Sequence, residues 1–515
     1  MLRIQAKACR IACVLLLATL AVAPAAHALE PTSASRSLAT ADQIFEAASQ
    51  RAADLAAKPY QAPDDSLPAP FRELSYDGYR KLRPMLEGTV WGEAGNAFGV
   101  LPLPRGGLFD TRVNLFVVDA GETAALDDTA RFVDFVDFPS STESHRQGLG
   151  LSGWRAIRKP GQAGAGYEAA AFQGGTYFRA TAEQLVYGAS ARALAIRAGL
   201  RNEEFPDFTD FWIIRPEDGE SSLAFVALSD SPSAAGAYRF VLKPGHETVI
   251  DVIADIHPRI DITEAGVAPL SSMYLHGPVD HSTNRDWRSE VHDSDGLSIL
   301  SASGEWIWRP LSNPGDVQIS SFGGGAPQGF GLMQRRRDFA AYGDLEARYE
   351  RRPSVWIEPA GNWGSGEVRL VELPTPTEYN DNIAVFWRPA TPWKAGEAQR
   401  LAYTLRWNAN GPDTANVAKI SSTRAGVAPD APTLRRFAID FSGDHHFAAA
   451  ASVADVWSSA GAISNIHLID GADVGSRRLV FDFDPKGADL AELHAALRDE
   501  TSQLTETWLF RWTPE

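Results

Sequence analysis

The chain has 515 residues and two cysteines, Cys9 and Cys13, and none after them. The body of the protein therefore has no disulfides, no cysteine–zinc sites and no thiol nucleophile. Long apolar runs are equally scarce. One stands out, "IACVLLLATLAVA" at 11–23. It is shorter than the ~20 residues a spanning helix needs. Arg3, Lys7 and Arg10 precede it and the small-x-small sequence "AHA" (26–28) follows. This is the pattern of an export signal cleaved after Ala28, which takes 28 of the 515 residues and leaves 487. There is no twin-arginine pair, so the general secretory route is expected. No cysteine closes a lipobox, so no stable membrane anchor is expected. Export without disulfides fits a bacterial periplasm.

An excess of positive charge is also lacking. Lys and Arg number 48 against 65 Asp and Glu, a formal charge of −17. Losing Arg3, Lys7 and Arg10 takes it to −20. Such a surface repels nucleic acid and anionic lipid and tolerates a neutral, hydrophilic polymer. Internal repeats and low-complexity tracts are absent.

Hydrophobic content of 44% and charged content of 22% describe a globular chain. Its length suggests two domains. Residues 29–70 read as an Ala/Pro-rich leader. Within it "TADQIFEAASQRAADLAAK" (40–58) predicts a helix, with Thr40 and Gln43 at capping-box spacing and Pro59 as the stop. From residue 71 short β-rich runs dominate, such as "TRVNLFVVDAG", "RFVDFVDFP", "SSLAFVALSD" and "ETVIDVIADIHP". Gly, Pro, Asp and Ser punctuate them. The expected fold is all-β: a large N-terminal antiparallel β-sandwich over 71–390, then a small C-terminal immunoglobulin-like β-sandwich over 396–515. Pro389, Pro392 and Gly396 mark the junction.

Several chemistries fall away. "GHETVI" (245–250) is not HExxH, and "HDSDG" (292–296) starts like a calcium loop but has Leu297 and Gly304 where ligands belong. No metal and no cofactor is expected. No GxSxG elbow occurs. "FGGGAPQGFGLMQRRRDF" (322–339) is no phosphate-binding loop and reads as an exposed loop or a lid.

Carboxylate chemistry remains. In "TEYNDNIAVFW" (377–387) an extended chain puts Asp381 on one face with Ile383, Val385 and Trp387. Desolvation there would raise its pKa and suit a general acid. In "EVHDSDGLSIL" (290–300), Asp293 lies in a polar, Gly-turn context and would stay ionised as a base. Both also read as turn or capping aspartates.

Segments in a fixed order weigh toward catalysis. "FQGGTYFRA" (172–180), "QLVYGASARALAI" (184–196), "FPDFTDFWI" (205–213), "VHDSDGLSI" (291–299), "DLEARYERRPSVW" (344–356) and "PTPTEYNDNIAVFWRP" (374–389) resemble the periplasmic glucan biosynthesis family, OpgG/OpgD. The resemblance spans the mature chain. It implies a β-sandwich with an immunoglobulin-like tail, and action on β-1,2-glucan by an inverting carboxylate mechanism. Either water accepts the cut chain, as in an endo-glucanase, or a sugar hydroxyl does, closing a ring through a 1,6-linkage. The resemblance puts the acid at Asp381 and the base at Asp293, with Asp295 a rival. It lines the cleft with Glu378 and Tyr349. Trp287, Trp356 and Trp363, with Tyr349, are candidate sugar platforms. The inner-membrane glucan synthase machinery is an implied partner. A non-catalytic glucan-binding scaffold is the alternative. Ala189 and Ala193 depart from the family's usual residues, and the missing twin-arginine pair leaves the subgroup open.

Overall fold

Along Thr248–Pro258, Ile250, Val252, Ala254 and Ile256 are buried, while Val249, Asp251 and Ile253 between them are less so. This period of two recurs strand after strand and lays down sheets with one face on a shared core. The computed structural model describes residues 35–515 except 64–65, 93–95, 140, 160–165, 281–285, 415–416, 445–446, 448–451, 472, 474, 501 and 515. The export signal read at 1–28 lies outside the described residues.

Two large sheets, mostly antiparallel, face each other. One has ten strands; its main path runs from Phe98–Pro104 through Leu151–Arg158, Tyr167–Gln173, Tyr177–Ala180 and Ser190–Arg192. It continues through Ala265–Ser272, Ile383–Pro389 and Gly366–Glu372 to Gln318–Gly323. The other has fourteen strands, with Ser354–Ala360, Gln399–Asn408, Thr248–Pro258, Ala234–Lys243 and Leu223–Asp230 as consecutive neighbours near its middle. Between the sheets lies an aromatic core. Trp154, Phe172 and Phe178 of the first meet Phe211, Phe225, Phe240 and Trp407 of the second, with ring centroids 5.0–6.2 Å apart. The all-β sandwich read from the sequence is the observed class.

Four expectations need correction. The helix spans Arg36–Ala56, starting four residues early. Thr40 lies inside it and its hydroxyl donates to the Arg36 carbonyl at 2.9 Å, so it is no cap. Nor is the helix part of a loose leader. Ala41, Phe45, Ala48 and Ala52 pack on Ala224, Val226, Leu228, Ala235 and Ala237, covering the outer face of the fourteen-stranded sheet. Small alanines on both sides let helix and sheet approach closely. Second, "RFVDFVDFP" contributes only the two-residue strand Val133–Asp134; Phe132, Phe135 and Phe138 beside it join the core, while Val136 is exposed.

Third, the junction is misplaced. Gln399–Asn408 is not the first strand of a tail; it pairs with both Thr248–Pro258 and Ser354–Ala360 inside the large sheet. The C-terminal sandwich begins later. Its four-stranded sheet, Lys419–Ala428, Ala431–Ser442, Ser476–Asp484 and Ala462–Asp470, packs on Val453–Ser458, Ala491–Arg498 and Thr507–Trp512. Those last three strands continue the large sheet, because Ile307 and Trp308 pair in parallel with Thr507 and Trp508. The two sandwiches share a sheet.

The segment 322–339 is not one exposed loop: only 324–328, between two strands, is an open connection. Gly329–Met333 is a fully buried strand. Its glycines mark close approach: a Cβ on Gly331 would stand 2.0 Å from the Val355 carbonyl oxygen. Arg335, which follows, forks onto the buried Glu506 with bonds of 2.7 and 2.6 Å. Glu506 also accepts from the Ile420 N–H at 2.7 Å, and Arg335 lies 3.6 Å over the Trp308 ring. This pair ties the C-terminal sandwich to the large one. Glu506→Ala leaves the guanidinium buried without its partner and is expected to cost about 3 kcal/mol in denaturant unfolding. Arg335→Met combined with Glu506→Leu is expected to recover most of that loss.

Candidate active site

The site lies where several loops and strand ends meet. Asp293 follows the short strand Val291–His292, which pairs with Tyr274–His276. Its N–H donates to the Met273 carbonyl at 2.8 Å, and the Ser272 hydroxyl donates to that of Ser294 at 2.9 Å. The Asp293 side chain turns inward and the residue is only 5% exposed. Arg352 bonds its Oδ1. Burial pushes the Asp293 carboxyl above the usual carboxylate range; Arg352 and Arg179 pull it down, and the Asp381 charge adds to the rise. The polar turn expected here is thus buried. Arg352 and Ser272 match Asp293 and Ser294 from elsewhere in the chain, which a count of charged letters does not reveal.

Asp381 is placed by its neighbour. Asn382 is buried; its Oδ1 accepts from the Tyr274 N–H at 2.8 Å. Its Nδ2 donates to the Tyr274 and Leu373 carbonyls, both at 3.0 Å. The strand starts only at Ile383, so the alternating pattern does not extend back to Asp381. Ile383, Val385 and Trp387 are core, while the Asp381 side chain is 29% accessible. The apolar surroundings expected for it are absent. It faces Arg179, whose Nη2 lies 3.9 Å from its Oδ2. The Arg179 Nε donates to the Ser190 hydroxyl at 2.6 Å, fixing the guanidinium from the neighbouring strand. Arg179 therefore acts on both carboxylates, the buried one and the open one.

A second arginine organises the rim. Arg288 contacts Glu378 at 2.6 Å, Asp286 at 2.9 Å and Asp344 at 2.9 Å. Its bonds hold Asp286 well below the usual carboxylate range. Three loops are thereby tied to one cation. Beside them stand two open rings, Trp287 at 74% and Tyr379 at 87% exposure. Arg288 lies 5.7 Å from the Trp287 ring centroid. Tyr349 is buried, with Arg352 4.3 Å over its ring, so it supports that arginine rather than offering a free face. Burial raises the Tyr349 hydroxyl pKa, and the charges of Glu378 and Asp293 both reach it.

The other named residues lie elsewhere. Asp295 is buried and its Oδ2 accepts from the N–H groups of Arg335 and Arg336 at 2.9 and 3.1 Å. It lines a separate small cavity of about 40 Å³ with Glu290, His292 and Ile420. Trp363 donates to the Ala402 carbonyl at 3.1 Å and packs on Trp387 and Tyr403 in the main core. Trp356 is also buried, packed against Trp306. Neither ring is an open platform. Sequence reasoning missed Arg179, Arg288, Arg352, Asn382 and Tyr379. Arg179 and Arg352 stand inside quoted segments, where a cation beside buried apolar residues was the available signal.

The periplasmic glucan biosynthesis protein family, MdoG, matches residues 44–512. A protein of Rhodopseudomonas palustris named glucans biosynthesis protein G is 44% identical over 467 residues, covering 90% of this chain and 92% of its own. One of the same name from a Shewanella strain is 41% identical over 462 residues, 89% of this chain and 85% of its own. Another Shewanella relative is 39% identical over 502 residues, 96% and 92% of the two chains. Among the described residues no helix is long and apolar enough to cross a membrane. With a match running through both sandwiches, the chain belongs to the periplasmic glucan biosynthesis protein family.

Proposed function

We propose that the protein is a periplasmic enzyme of glucan biosynthesis that acts on β-1,2-glucan by an inverting carboxylate mechanism. The observation that carries this reading is the cluster itself. A buried carboxylate on Arg352 and an open carboxylate on Arg179 act on each other, beside exposed aromatic rings. Asp381, open to a bound polymer, protonates the leaving glycosidic oxygen. Asp293, kept charged by Arg352, takes the proton from the attacking group. Burial makes Asp293 a stronger base than an ordinary carboxylate. An inverting pair needs room between its carboxylates for the attacking water. A sugar hydroxyl in that place gives transglycosylation with the same two groups. Trp287 and Tyr379 supply faces for glucose rings, and Glu378, held by Arg288, supplies acceptors for hydroxyls. Product would pass to the inner-membrane glucan synthase machinery or return from it.

Incubation with linear β-1,2-glucan should give shorter chains, read as new reducing ends or as products one water lighter by mass. Asp381→Asn is expected to abolish turnover and retain glucan binding. No change of the glucan by the intact protein, with binding preserved, would leave a glucan-binding scaffold as the function. Trp287→Ala is expected to weaken glucan binding by up to about tenfold, read by calorimetry.

The base works ionised, so activity falls as pH drops through the Asp293 pKa. Because burial raises that pKa, the acidic limb of kcat/KM should lie above the ~3.9 of a free aspartate. Arg352 lowers the pKa, so Arg352→Gln should move this limb to still higher pH. A limb that stays in place in that variant would remove Asp293 from the role of base.

A further inference from the structure

A groove of about 480 Å³ lies apart from the candidate active site and shares no lining residue with its cluster. It is formed on the outward side of the neighbouring strands Ser354–Ala360 and Gln399–Asn408. Their inward residues, Val355, Ile357, Leu405 and Trp407, belong to the main core. The alternate residues Trp356, Glu358, Arg406 and Asn408 line the groove, with Trp306 from an adjoining segment. At this volume the groove falls within the ~300–1,000 Å³ of small-ligand sites.

Its chemistry is specific. Trp306 is half-buried, and its ring centroid is 5.6 Å from that of Trp356 at a 31° tilt. Trp356 is itself held flat across a glycine: a Cβ on Gly329 would stand 2.2 Å from its ring. Beside the rings runs a row of fixed planar polar groups. The Arg406 Nη1 donates to Glu247 at 2.8 Å and its Nε to Glu358 at 3.0 Å, while the Asn408 Nδ2 donates to Glu247 at 2.7 Å. These side chains are about one-third exposed or more at Glu247, Glu358 and Arg406, so their remaining hydrogen-bonding capacity faces solvent. Arg406 offsets one of its two carboxylate partners, and Asp413 also lines the groove, so the lining is net acidic and disfavours an anionic ligand. An apolar ring next to pre-positioned planar donors and acceptors suits a neutral polyhydroxylated chain, whose C–H faces stack and whose hydroxyls pair with the polar edges.

We propose that this groove is a second carbohydrate-binding site, which holds a glucan chain away from the catalytic carboxylates. The inference rests on glucan being the ligand of the candidate active site. Its value to the reaction is retention of long polymer, because two linked attachments raise the effective concentration of the chain at the site of cleavage.

The test uses the mature full chain carrying Asp381→Asn, titrated with long linear β-1,2-glucan by calorimetry. Two classes of site are expected. Trp306→Ala in that background should remove one class. Gln328→Ala, an exposed lining residue that leaves the packing intact, should weaken the same class by several-fold. In the otherwise unmodified protein, Trp306→Ala should raise KM for long glucan several-fold and leave kcat for short oligosaccharides unchanged. A single class of site, unmoved by Trp306→Ala and by Gln328→Ala in proteins with unchanged melting, would overturn the proposal. If that single class responds to Trp287→Ala, the active-site reading stands and the groove alone fails. If glucan does not bind at all, both fail. If Trp306→Ala does not fold, Gln328→Ala and Glu358→Gln decide the matter.

Discussion

A carboxylate taken out of water must find a partner, and the candidate site is arranged around that requirement at Asp293. Its partner is Arg352. The cation in turn rests on the Tyr349 ring and stands just before the strand Ser354–Ala360 of the fourteen-stranded sheet. The position of the carboxylate is therefore set by the main sheet rather than by a loose loop. Were Arg352 absent, Asp293 would be a buried charge without compensation, which favours protonation or local rearrangement. Arg179 then links the buried acid to Asp381 at the open side.

The same sheet serves three ends. Its inner face fills the aromatic core, and part of its outer face carries the helix Arg36–Ala56. Elsewhere on that outer face lies the groove at Trp306 and Trp356. Three of its strands also form half of the C-terminal sandwich. Sharing a sheet, with the Arg335–Glu506 pair beside it, joins the tail to the body through backbone hydrogen bonds as well as side chains.

The sequence made the all-β class legible because alternation in runs such as Thr248–Pro258 is a local signal. The junction at 396 was not legible. Pro389, Pro392 and Gly396 do break the chain, but the break carries it from one sheet of the large sandwich to the other, where Gln399–Asn408 pairs inside the fourteen-stranded sheet. The glycines of 322–339 suggested a loop, whereas Gly331 is small because the next strand's backbone passes against it. At the site, Asp293 and Asp381 were found, but their surroundings were read in reverse. Periodicity predicted burial for Asp381, yet the ladder ends at Ile383. Polar letters predicted a polar turn at Asp293, yet the residue is buried and Arg352 comes from 59 positions away to match it. Long-range partners such as this one, Arg288 with Glu378, and Asn382 with Tyr274 leave no local pattern.

The most direct test of the account is the configuration of the anomeric centre first formed from linear β-1,2-glucan, followed by proton NMR during early turnover. An inverting pair predicts an α-configured centre, whether it appears as a free reducing end or within a new linkage. A β-configured first product, or no new anomeric centre, would contradict the assignment of Asp381 and Asp293 as acid and base.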